Sequence, residues 1–161
     1  MLGLRTTRGT VVKADGKAAI PKFEQQKNIL KSVERKFSSS LFDIKQIIQA
    51  DLFDDELETA EELNKKGFIR GAGAIAGVVL EKHLKQVANN HSIRMIKKNP
   101  GIGDFNDLLK NNDIIEVSTW RFIQHLGDIR NLCDHNKERE PSKEEVTDLI
   151  SGVRKMTKTI F

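Results

Sequence analysis

Apolar residues recur along this chain at intervals of three and four, the spacing that puts them on one face of a helix. From Lys22 the positions Phe23, Ile29, Leu30, Val33 and Phe37 predict an amphipathic helix, and the run Ser38-Ser39-Ser40 is expected to stop it. A second helix is predicted from Leu41 to about Asn64, with Phe42, Ile44, Ile47, Ile48, Leu52, Leu57 and Leu63 facing a core and the acids facing water. Gly67 then punctuates the chain before its most apolar segment, "FIRGAGAIAGVVLEKHLKQVANNHSI", the candidate central helix. Pro100-Gly101 precedes a short helix that ends around Asn111, with Asp104 as its expected N-cap. Trp120, Phe122, Ile123, Leu126, Ile129 and Cys133 mark a helix from Val117 to about Lys137, with Ser118 as its cap. The last helix opens at "PSKEE", where Ser142 and Glu145 have capping-box spacing, and its stripe runs through Val146, Leu149, Ile150, Val153, Met156 and Ile160.

No stretch alternates convincingly as a strand, so the expected fold class is all-α, an antiparallel bundle of four or five helices. Residues 1–21 lack periodicity and end at Pro21. They are read as a basic N-terminal arm or linker, and residues 22–161 as one helical domain.

Charge changes this picture more than composition does. Lys and Arg exceed Asp and Glu by only 27 to 23, but the excess is segregated. Arg5 to Lys36 holds nine basic residues against three acids, whereas Asp43 to Glu62 holds one lysine against eight acids. A single cysteine, Cys133, excludes an internal disulfide framework and multi-thiolate zinc sites. The apolar run around Ala72 to Leu80 is much shorter than the ~20 residues that span a bilayer, and the polar start does not read as a signal peptide. The expectation is a cytoplasmic protein with no membrane span.

Gly71, Gly73 and Gly77 each cost about 1 kcal/mol relative to alanine inside a helix. A close approach by another helix would compensate. A phosphate-cradling loop is the functional alternative, but no strand precedes these glycines and no Gly-Lys-Ser/Thr follows.

The chemistry-bearing stretch is "RNLCDHNKERE", Arg130 to Glu140. Arg130 carries a permanent, forked cation that suits phosphate, and His135 carries a proton that moves near neutral pH. Five residues advance about 500° on a helix, leaving the two about 140° apart. They can meet if the helix loosens near Asp134, or if two copies of it face each other across a two-fold axis. Asn131 can orient a substrate, and Asp134 can hold an imidazole in one tautomer. Lys137 and Arg139 would add phosphate contacts; Arg121 and His125, one turn apart, are candidates to line an RNA groove.

This motif, an arginine, a polar residue, three more and a histidine near the end of an all-helical chain, resembles the signature of the HEPN superfamily. The glycine-rich segment is similar to the helix such domains place opposite the motif. The resemblance implies a four- or five-helix bundle over about residues 23–161. It further implies a homodimer through the motif helix and, in many members, metal-independent endoribonuclease activity in toxin–antitoxin or antiviral systems. Arg130 and His135 would then be catalytic, supported by Asn131 and Asp134, and single-stranded RNA would be the substrate, with no cofactor or metal. An antitoxin or other defence protein is the implied partner. Two departures stand: Lys137 occupies the position where some members carry a tyrosine, and this chain has no tyrosine at all. Some HEPN-like domains are non-catalytic dimerisation or RNA-binding modules, which is the alternative.

Plainer readings stand beside these. Arg130 and His135 suit a helix C-terminus as simple cations. Arg121 and His125 suit a solvated face, and His83 and His91 lack the partners of a metal site. Cys133 and Trp120 fall on the core stripe. Glu81 is read as supporting its own helix, with a contact to Arg130 as the alternative.

Overall fold

The computed structural model describes residues 4–5, 11–12, 16–134 and 139–161. Its described residues form an all-α bundle with one minor addition, a two-residue antiparallel pair of strands, β1 (Leu4–Arg5) and β2 (Val11–Val12), in register Leu4 with Val12. The helices are α1 (Gly16–Lys65), α2 (Ile69–Asn90), α3 (Ile102–Asn111), α4 (Val117–Asp134) and α5 (Lys143–Thr159). Contacts divide the chain into two compact units, residues 1–47 and 48–161.

Two sequence expectations about α1 are corrected. The helix runs unbroken through Ser38-Ser39-Ser40, and Pro21 lies inside it. Serine in a helix costs only a few tenths of a kcal/mol more than alanine, too little to end a helix that continues on both sides. Pro21 removes one backbone donor in the second turn without ending the helix there. The expected inward residues Phe42, Ile44, Ile47, Ile48 and Leu52 are exposed, by 44% to 63%. Leu57 is buried as expected, in a line that otherwise consists of Phe53, Ala60 and Asn64, spaced by four, three and four. Leu63 is half-buried against it.

In the unit of residues 48–161, α2 is central, as the sequence predicts: it packs on α3, α4 and α5. Its buried side, Ala72, Ala76, Val79, Leu80, Leu84 and Val87, meets Ile123, Leu126 and Ile129 of α4 and the apolar stripe of α5. Gly67 turns the chain from α1 into α2 at φ +90°, where a side chain would be strained. On α3 the N-cap is Gly101; Asp104 sits three residues in, and its Oδ2 accepts from the Gly101 N–H at 2.9 Å. Ser118 is likewise inside α4, one residue past Val117, and not its cap. The α5 capping box forms as its spacing predicts: Glu145 N–H donates to Ser142 Oγ at 3.1 Å, and Ser142 N–H donates to Glu145 Oε2 at 2.9 Å. All six predicted stripe residues of α5 are buried.

Candidate functional site

The site is built where α4 lies closest to α2. Gly73 and Gly77 are one turn apart on α2. A Cβ on Gly73 would overlap Cys133 Sγ, and a Cβ on Gly77 would overlap Arg130 Cγ. These two glycines therefore receive the Cys133 side chain and the Arg130 stem, the close approach expected of them. Gly71, by contrast, has no atom of the described residues within 4 Å of where a Cβ would stand, and needs no such explanation.

With its stem seated, the Arg130 side chain is 26% exposed, and its head is held by two neighbours. Nη2 pairs with Asp134 Oδ2 at 2.8 Å, one turn on, and Nη1 donates to Asn131 Oδ1 at 3.4 Å. Nε is buried and has no partner among the described residues. Arg130, Asn131 and Asp134 thus form one cluster. Its arginine and asparagine line a cavity of about 400 Å³ between the start of α3 and the outer side of α4, together with Ile102, Asn106, Gln124 and Asp128. Asn106 is fully buried. Its Nδ2 donates to Trp120 O at 2.9 Å, and its Oδ1 has no partner among the described residues.

One arginine in this neighbourhood escaped the sequence reading. Arg70, at the start of α2, donates from Nε to Cys133 O at 2.9 Å, and its Nη1 lies 3.5 Å from Glu140 Oε1. It brings a cation to the last turn of α4, where backbone carbonyls lack helical donors. The available signal was an arginine at the very start of the most apolar segment, twelve residues before its next cation, Lys82. Cys133 itself is a buried thiol with its pKa pushed up to about 11, chiefly by burial and then by the Asp134 charge, against the pull of Arg70 and Arg130. It is a core residue, as its place on the stripe suggests, and not a nucleophile at neutral pH.

The other predicted residues are not gathered here. His135 and Lys137 lie outside the described residues. Arg139 sits before α5, where its guanidinium grips Glu145 with two bonds of 2.6 and 2.8 Å. That grip, with the Ser142 N–H, holds the Glu145 carboxyl down at about 2; the charge of nearby His125 adds to it. Arg121 and His125 are exposed on α4, and helix geometry puts them about 180° and 140° round the axis from Arg130. Trp120 is an anchor: its Nε1 donates to Asp107 Oδ1 at 2.7 Å, and Lys110 Nζ lies 5.3 Å from the ring centre. His83 is buried on α2, edge-on to Phe53.

No family model, curated protein or solved structure matches this chain. Among the described residues no helix is long and apolar enough to cross a membrane.

Proposed function

We propose that this chain is a HEPN-like endoribonuclease that cleaves single-stranded RNA at a composite site of two copies, without a metal. The observation that supports the reading is the placement of Arg130: its stem is locked on Gly77 while its head borders a cavity lined by Asn131. A pre-positioned guanidinium is what a phosphorane requires, because charge stabilisation is strongest when the donor need not reorganise. His135 moves protons between the ribose 2′-OH, the phosphate and the leaving 5′-oxygen. The 2′-oxygen attacks the adjacent phosphorus, the P–O5′ bond breaks, and the products carry a 2′,3′-cyclic phosphate and a 5′-OH. DNA, lacking the internal nucleophile, is resistant. Arg139, Arg121, His125 and Lys137 contribute at most to binding the RNA backbone, and an antitoxin or other defence protein is the partner that restrains the activity.

One observation favours a second reading, a non-catalytic dimerisation or RNA-binding module. The Arg130 head is already paired with Asp134, as a purely structural arginine would be. The two readings separate in one experiment: labelled RNA is incubated in excess EDTA with the wild type, His135→Ala and Arg130→Ala, and association state is checked by light scattering. Wild-type cleavage to cyclic-phosphate ends, lost in both variants while the association state persists, supports the nuclease. Equal inactivity of three folded proteins supports the module.

A further inference from the structure

Among the described residues, twelve of the seventeen exposed large apolar side chains lie on α1 between Ile20 and Leu52. Leu30, Val33, Phe37, Leu41, Ile44 and Ile48 are each 51% to 69% exposed, and their spacings of three and four residues align them along one side of the helix. Three pairs among them, 30 with 41, 33 with 44 and 37 with 48, lie eleven residues apart, the repeat that keeps an apolar seam on one side over many turns. A continuous apolar side of this kind marks an interaction surface.

We propose that α1 pairs antiparallel with α1 of a second copy through this seam. Charge identifies both the occupant and the direction. Between Lys17 and Lys36 the helix holds six basic residues and two acids, and the excess reverses from Asp43 onward, so the change of sign falls near Ser39. The midpoint of the apolar stripe, Leu30 to Ile48, is also residue 39. An antiparallel pair crossing there places Leu30 opposite the second copy's Ile48, and Phe37 opposite its Leu41. The same register puts Glu34 beside the second copy's Lys45 on one flank of the seam; both side chains are exposed. A parallel pair in register would lay the basic stretch along the second copy's basic stretch and the acidic stretch along its acidic one, so repulsion rejects it. The seam also reaches a useful size. Residues 20–52 cover about 50 Å of helix, and pairing over that length removes an area on the order of the 800 Å² per partner found in stable interfaces. This contact stands whether or not the chain cleaves RNA.

The test reads association and direction, not activity. Because Phe37 and Leu41 are exposed within the chain, the double variant Phe37→Lys/Leu41→Lys is expected to keep the wild-type thermal unfolding of the bundle. Its mass in sedimentation falls to half that of the wild type, with association weakened at least about 100-fold. Spin labels placed singly at Ser39→Cys and at Lys22→Cys, in a Cys133→Ala background, report direction. Antiparallel pairing leaves two Ser39 labels, on the outer faces at the crossing, about 20–25 Å apart and holds two Lys22 labels about 50 Å apart, since each Lys22 lies 17 residues from the crossing. A monomeric wild type, an unchanged mass in the double variant, or short distances at both labels would each overturn the proposal.

Discussion

The Arg130 stem lies directly over Gly77, close enough that any side chain at position 77 would overlap its Cγ. Gly77→Ala must therefore displace Arg130 or separate α2 from α4. Overpacking of this kind costs about 1–3 kcal/mol, partly offset by the ~1 kcal/mol that alanine gains in a helix. Gly71→Ala meets no atom of the described residues within 4 Å and should instead stabilise by up to about 1 kcal/mol. Urea unfolding of the two variants should shift in opposite directions, and RNA cleavage, if present, should fall only in Gly77→Ala.

His83 makes stability depend on mild acid. Burial pushes its pKa from 6.5 down to about 4, although backbone hydrogen bonding at Met156 and Ile160 pulls upward. Above pH 6.5 the side chain is neutral in both states and contributes no slope. Below it the unfolded chain takes up a proton that the folded chain refuses, so stability falls as pH drops towards 4, by at most about 1.4 kcal/mol per pH unit, and levels off beneath. Between pH 6.5 and 5 this loss should be shallower in His83→Leu, as measured by urea midpoints at each pH.

Arg70 holds Cys133 O and reaches Glu140 with one guanidinium. Arg70→Met keeps the stem and removes the donors, and should cost about 1–2 kcal/mol. Amide exchange should accelerate in the last turn of α4 while the middle of α5 keeps its protection. Arg70→Lys should recover less than half of the loss, because a compact ammonium lacks the fork.

The start of α5 separates capping from charge. Ser142→Ala removes the acceptor for the Glu145 N–H and should cost about 1 kcal/mol. Glu145→Gln retains a capping-box side chain and releases Arg139. If this chain binds RNA, that variant should bind it about two- to threefold more tightly at low salt, and the gain should vanish as salt rises. Filter binding over a salt series reads both effects.

Glu145 and Ser142 were legible from spacing because a capping box is local: two residues three positions apart contain the whole interaction. The α5 stripe and the turn at Gly67 were legible for the same reason, and the glycines of α2 announced a close neighbour without saying that it is α4. The periodicity of α1 was equally legible, but the end expected at Ser38 was not there, because weak helix formers shade a helix without stopping it.

Residue order alone thus specified helicity, the faces of α4 and α5, and the neighbourhood of Arg130, Asn131 and Asp134 on α4. Burial and pairing came from the fold. Phe42 and Phe53 have the same side chain on the same helix, yet only Phe53 is covered, since burial is set by what packs against a position and not by its hydrophobicity. Arg70 meets Cys133 across 63 residues of chain, and no local pattern encodes a hydrogen bond to a distant carbonyl. Arg139 was read as a free phosphate contact from its charge. Only the folded start of α5 commits it to Glu145.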